Sequence, residues 1–326
     1  MSTEVDVFNG GMRPRTRARI RSHGAGLTLV ACLALTGCHA GDPPTGPASG
    51  PAAGGASGPV LPASAASRVV PRFDHIVVAV FENRGYAQVI GSARAPYLNE
   101  LATRGTLLTD AHGVTHPSQP NYLALFAGST FGVRDDHCPR DIAGTGNLAS
   151  QLAGAGLTFA GYSEGMPATG YRGCAGGDGY ARKHNAWVDF TALPASINRT
   201  FAEFPADFAE LPTVSFVVPN LCHDMHDCPV ATGDAWARAH LDPYVRWATG
   251  HESVLIVTWD EDEDPDGDPA SGGHIPTILA GAHVAPGGRY LPTVDHYRVL
   301  RTIEAAYGLP GLGMAGSREP IGEIWR

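Results

Sequence analysis

Five short apolar runs constrain this chain most: "HIVVAVF" (75–81), "LTFAGY" (157–162), "TVSFVV" (213–218), "SVLIVTW" (253–259) and "PTILAG" (276–281). Each has strand length and is nearly continuous in apolar residues rather than alternating, which suits strands buried on both faces. Between them lie helical patterns: "PYLNELATRG", "NYLALFAG", "NLASQLAGAG", "GDAWARAHLDPYVRWATG" and "DHYRVLRTIEAAYG". Several end at glycine, as helix C-caps often do. Strands alternating with helices predict an α/β fold with a mostly parallel sheet and helices on both faces. Ligands of such sheets bind at the carboxyl ends of the strands. No internal repeat is present.

With 326 residues, 43% of them hydrophobic, the chain can bury a sizeable core. Its first 70 residues do not share the pattern. Arg13, Arg15, Arg17, Arg19 and Arg21 precede "GLTLVACLAL", which reads as an export signal over residues 1–37. The following "LTGC" resembles the lipobox of bacterial lipoproteins, so Cys38 is the expected lipidation site, with a plain secretory signal as the alternative. The eleven residues before Met12 add nothing to an export signal, which makes Met12 a candidate start. Residues 38–70, rich in Gly, Pro, Ala and Ser, read as a flexible tether between a membrane and a single domain over 71–326.

Removal of residues 1–37 leaves 18 basic against 30 acidic residues, a net charge of −12, which argues against nucleic acid as a partner. Beyond Cys32 in the signal and Cys38, four cysteines remain: Cys138, Cys174, Cys222 and Cys228. An even number in an exported chain suggests two disulfides. Cys222 and Cys228 are close enough in sequence to close a small loop, leaving Cys138 with Cys174; free buried thiols are the alternative.

The strand-end rule says where chemistry should stand. "HIVVAVF" runs into Glu82 and Asn83, and "SVLIVTW" runs into Asp260 and Glu261. Three carboxylates and an amide oxygen would converge there as hard ligands for one divalent cation, Ca²⁺, Mg²⁺ or Mn²⁺. In "THPSQPNYLALFAGS", Pro117 and Pro120 bracket Ser118 and predict a helix start, where free N–H groups favour an anion beside the serine oxygen. An ordinary serine cap is the competing reading. His116, His226 and His274, with Asn121 one turn after Ser118, could complete a phosphate pocket.

The ordered series "VFEN", "APYLNELA", "THPSQPNYLAL", "VPNLCHDMHDC", "GDAW", "TWDE" and "GGHIPT" resembles the bacterial phosphoesterase family of acid phosphatases, phosphatidylinositol-3-phosphatase-like enzymes and phospholipases C, over residues 73–310. That family is similar in fold to alkaline phosphatases. The resemblance implies that Glu82, Asn83, Asp260 and Glu261 hold the metal and that Ser118 is transiently phosphorylated. "SQPN" also resembles the nucleophile turn of nucleotide pyrophosphatase relatives, which favours Ser118 over Thr115. A full second set of metal ligands is not legible, so one metal is expected. The chain is short beside the family's phospholipases C, which favours a phosphomonoesterase.

Two other motifs compete. "GYSEG" (161–165) matches the nucleophile elbow of serine hydrolases, but "MPATGYRGCAGGDGY" after it is too rich in Pro and Gly for the required helix. "DEDPDGD" (262–268) has Asp262, Asp264, Asp266 and Gly267 in EF-hand order, yet Gly273 stands where the loop needs a glutamate. The sequon at Asn198 is set aside in a chain of bacterial type. The expectation is a lipid-anchored, extracytoplasmic, metal-dependent phosphomonoesterase acting on phosphoinositides or other organic phosphates. Protonated histidines would give it an acidic optimum. A phospholipase C and a non-catalytic phosphate- or calcium-binding lipoprotein are the alternatives, and oligomeric state is not readable.

Overall fold

The computed structural model describes residues 69–144, 146–263 and 271–326. The export signal, Cys38, the tether up to residue 68 and residues 264–268 of the acidic loop lie outside the described residues. The strands are β1 (His75–Phe81), β2 (Thr106–Gly113), β3 (Phe159–Ser163), β4 (Asn198–Thr200), β5 (Val214–Val218), β6 (Ser253–Trp259), β7 (Gly272–Gly281), β8 (Gly288–Tyr290) and β9 (Val294–Asp295). The α-helices are α1 (Tyr86–Val89), α2 (Pro96–Arg104), α3 (Ser118–Ala127), α4 (Leu148–Gly154), α5 (Ala186–Asp189), α6 (Val230–His240), α7 (Asp242–Ala248) and α8 (His296–Ala306).

Among the described residues the strands form one sheet in the order β4-β3-β5-β1-β6-β7-β2-β8, with β9 also paired to β2. The continuous apolar runs take its centre. Every residue of β5 and β6 is buried, as is all of β1 after His75. Strands β4, β3, β5, β1 and β6 run parallel, while β7 is antiparallel to both β6 and β2. The expected mostly parallel sheet with helices packed on it is therefore what the chain forms.

Strand β2 escaped the sequence reading because "TLLTDAHG" carries only three large or small apolar residues, and its middle is irregular. There Leu108 pairs with Thr277 and Ala111 with Ile275, so Thr109 and Asp110 together oppose Pro276. This is a β-bulge set against a proline, which has no N–H to offer the ladder. On the other side, pairing between β6 and β7 ends at Thr258 and Thr277, so Pro276 leaves no donor site unmet there either.

The single helix expected over 233–250 is two. Pro243 cannot accept continuation of the helix ladder and starts α7 instead. Asp234 of α6 receives the Tyr97 and Leu98 N–H groups at 3.1 and 2.8 Å, capping the start of α2 from a neighbouring helix. Both expected disulfides are present, Cys138–Cys174 and Cys222–Cys228.

Gly161, the first residue of "GYSEG", is needed for packing. A Cβ there would come within 2.1 Å of the Trp187 ring, which is buried among Phe126, Phe159 and Phe216. Ser163 is buried and donates to Asn185 Oδ1 at 2.6 Å, and a turn rather than a helix follows it. The motif is structural. Gly161→Ala should lower the unfolding free energy by about 1–3 kcal/mol through overpacking, measured by urea denaturation.

Candidate functional site

Three neighbouring parallel strands, β5, β1 and β6, deliver their following residues to one edge of the sheet. Phe81 is in register with Trp259, so Glu82 and Asp260 emerge side by side. The Asp260 N–H donates to the Phe81 carbonyl at 3.0 Å, and the Glu82 N–H donates to the Asp224 carbonyl, beyond β5, at 2.8 Å. Asn83 takes a left-handed conformation with φ 55°, which asparagine tolerates better than most residues, and its N–H donates to Asp260 Oδ1 at 3.1 Å.

Ser118 is the first residue of α3, as the flanking prolines predict. Its Oγ lies 3.1 Å from Glu82 Oε2 and 3.3 Å from Glu261 Oε1, so one hydroxyl proton faces two carboxylates. One turn later the Tyr122 hydroxyl donates to Glu82 Oε1, and His116 Nδ1 pairs with Glu261 Oε2. The acidic pairs and the serine, distant in sequence, thus share one site.

Asn121 has a different task from the one its spacing suggested. Its Oδ1 accepts the Val114 and Thr115 N–H groups at 2.9 and 3.1 Å, and its Nδ2 donates to the Thr115 and Pro117 carbonyls at 2.7 and 3.3 Å. Both polar atoms are bonded within this half-buried turn, so the Asn121 side chain holds the backbone that presents Ser118. His274 is likewise held elsewhere. Its Nε2 lies 3.0 Å from the Thr109 carbonyl in the β2 bulge, and its ring stacks on Tyr86 at 4.3 Å and on His112 at 5.2 Å. His226 does reach the site, but beside Glu82 rather than beside Ser118.

Sequence reasoning missed several members. His184 stands between Glu82 Oε1, 3.2 Å from its Nε2, and Asp224 Oδ2, 3.4 Å from its Nδ1, with its ring stacked on Tyr122. Ligand atoms of Glu82, His184 and His226 all lie within 4.8 Å of one another, a spacing that could hold a metal ion. Asp224 lies inside the quoted "NLCHDMHDC", where its histidines drew attention first, and the Cys222–Cys228 disulfide closes its loop. Lys183 Nζ lies 2.8 Å from Asp136 Oδ2 and 3.5 Å from His226 Nε2. Lys183 and His184 sit in a Gly- and Pro-rich connection without a readable pattern. Tyr122 had one signal, its i+4 spacing from Ser118.

Crowded acids in a dry place resist ionisation. Burial, then the charges of Asp260 and Asp224, pushes the Glu82 carboxyl well above its usual range. Burial raises Asp224 well above its range and Asp260 to about 6. Burial and the Asp260 charge raise Glu261 to about 9. Burial, with Lys183 and His226 nearby, pushes His184 far down, so its ring is neutral. Among the described residues, Asn83 Oδ1, Asp224 Oδ2, Asp260 Oδ2 and His184 Nε2 are buried without a hydrogen-bond partner. Such orphaned donors to a ligand, oxygen-rich with an imidazole, fit a divalent cation.

The fold is alkaline-phosphatase-like. A protein of the alkaline phosphatase superfamily from Vibrio parahaemolyticus is similar with a TM-score of 0.56 at 14% identity, over 77% of this chain and 71% of that one. The chain belongs to the phosphoesterase family, whose model matches residues 92–310, and is a hydrolase of phosphoric ester bonds. It is 47% identical over 270 residues to the phosphatidylinositol-3-phosphatase of Mycobacterium tuberculosis, covering 82% of this chain and 88% of that protein. It is 31% identical to the phosphate-repressible acid phosphatase of Penicillium chrysogenum, over 78% of this chain and 64% of that one.

The turn held by Asn121 gives a direct test. Asn121→Leu would remove the side-chain partner of two half-buried N–H groups and two carbonyls, and should cost about 1–3 kcal/mol of stability, read from a shifted urea midpoint.

Proposed function

We propose that this chain is a metal-dependent phosphomonoesterase that works through a phosphoserine at Ser118. The observation that carries the reading is the placement of Ser118 Oγ at 3.1 and 3.3 Å from carboxylates that follow two adjacent strands. Glu82, Asn83, Asp260 and Glu261 would hold a divalent cation, with His184 and His226 beside Glu82; when bound it supplies Lewis-acid stabilisation of the serine oxygen and a phosphoryl oxygen.

In the first step Ser118 Oγ forms a bond to phosphorus as the ester oxygen leaves with its alcohol. The hydroxyl proton passes to a carboxylate that it already faces, and the alcohol takes a proton from the site or from water. In the second step water breaks the phosphoserine bond, releasing inorganic phosphate and restoring the hydroxyl. The α3 N-terminus places the positive end of a helix dipole at this oxygen throughout.

Relatives named as phosphatidylinositol-3-phosphatase and acid phosphatase support a phosphorylated inositol lipid or a comparable phosphate monoester as substrate. A pocket of ≈ 430 Å³ lined by Arg84, Gln88, Ser92 and Arg94 follows Asn83 in the chain; Arg84 is bound to the Met225 carbonyl and paired with Glu263, which leaves Arg94 as its cation for the rest of such a molecule. The "LTGC" lipobox supports attachment through Cys38 outside the cytoplasm. Among the described residues no helix is long and apolar enough to cross a membrane.

Chelation of the purified protein should stop phosphate release, and a divalent cation should restore it. Ser118→Ala should lower turnover on the order of 10⁴-fold while the protein stays folded. Persistent turnover in either case would refute the reading.

The raised carboxyls give a sign to the pH dependence. Asp260 holds its proton up to about pH 6 and Glu261 up to about pH 9, so a cation must displace protons to bind at neutral pH. Affinity for Ca²⁺ or Mg²⁺ should therefore rise from pH 5 to 8. Calorimetric titrations in two buffers of different ionisation enthalpy should report proton release; none would contradict the assignment of ligands.

A further inference from the structure

We propose that Lys183 is a catalytic residue of this site: its ammonium binds a non-bridging oxygen of the phosphoryl group passing to and from Ser118, and Asp136 is the positioning residue that aims it. The inference rests on the phosphoserine reading above. It starts from connectivity. Asp136 Oδ1 accepts the Gln119 N–H at 2.9 Å, the first amide after Ser118, while its Oδ2 holds Lys183 Nζ at 2.8 Å. One carboxylate thus fastens the ammonium to the start of the serine's own helix. On its other side Nζ lies 3.5 Å from His226 Nε2, which belongs to the group around Glu82.

Charge gives the second argument. Glu82, Asp224, Asp260, Glu261 and Asp136 crowd the place where a phosphate monoester would have to arrive. Neighbouring cations are already committed. Arg182 is spent on Asp189 and the carbonyls of Arg172, Arg140 and Val188. Arg140 bonds Asp135 and Gln119 Oε1. Lys183 has three N–H donors, and its contacts with Asp136 and His226 leave one for a ligand. Its side chain is 21% exposed, open to an entering substrate. The Cys138–Cys174 disulfide braces the arrangement, since Cys138 lies two residues after Asp136 and the Cys174 carbonyl accepts the Arg182 N–H at 3.0 Å.

The experiment compares full-length wild type, Lys183→Gln and Asp136→Asn with p-nitrophenyl phosphate as substrate and inorganic phosphate as product inhibitor. Lys183→Gln should lower kcat/KM by about 10²–10³-fold and weaken phosphate inhibition at least tenfold. Asp136→Asn keeps the ammonium, so it should lose no more than about tenfold in kcat/KM and retain phosphate inhibition. Equal losses in the two variants would show a structural ion pair and overturn the assignment, as would a Lys183→Gln protein that matches wild type. Should Lys183→Gln fail to fold, Lys183→Arg keeps the pair with Asp136 but displaces the charge, and unchanged phosphate inhibition there overturns the assignment too. A wild-type chain that releases no phosphate defeats the phosphoserine reading itself, and this assignment with it; an active wild type with an unaffected Lys183→Gln defeats the assignment alone.

Discussion

Four buried carboxylates at one sheet edge set the terms for everything around them. Glu82, Asp224, Asp260 and Glu261 repel one another and have lost most of their water, and each has its proton affinity raised as a result. Such a cluster is costly to fold unless protons, hydrogen bonds or a cation offset the charge. The surrounding donors are arranged accordingly. Tyr122 and Ser118 turn hydroxyls toward Glu82, and backbone N–H groups of Asn83 and His226 reach Asp260 and Asp224. Several ligand-type atoms still have no hydrogen-bond partner among the described residues. The atoms that cost the fold most are therefore also the ones with ligand-type chemistry.

The sheet makes this concentration tolerable. Strands β1 and β6 pair in register over seven residues, with side chains buried on both faces, so neither can slip without exposing apolar surface. That rigidity allows Glu82 and Asp260 to be held side by side against their repulsion. It also explains why the acidic pairs were legible from sequence alone. A strand buried on both faces announces itself by an unbroken apolar run, and the residues just past its end must lie at the edge where ligands bind. Ser118 was legible for a related reason, because prolines on either side restrict the backbone to a helix start.

The remainder of the site had no comparable periodic signal. His184 and Lys183 come from a long irregular connection whose path is set by a disulfide and by Arg182 reaching three carbonyls, contacts that no local pattern encodes. The bonds of Asn121 to the turn before Ser118 were not legible either, because spacing along a helix shows which way a side chain points, yet not which hydrogen bonds it makes. The contact of His274 Nε2 with the Thr109 carbonyl was hidden as well: the strand expected over 276–281 begins earlier, at Gly272, and the bulge in β2 was invisible in "TLLTDAHG". Strand β2 itself was missed for the same reason, since a kinked strand interrupted by Thr and Asp lacks the run that marked its neighbours.

The two cystines divide the site into parts of different plasticity. Glu82, Asn83, Asp260 and Glu261 follow the sheet, whereas Asp136, Lys183, Asp224 and His226 ride on connections that covalent staples hold in place. Segments stapled at their ends can lengthen, shorten or change composition between the anchor points without moving the strand-borne acids. Changes on the stapled side therefore reshape the surroundings of the acidic cluster while the sheet keeps its spacing.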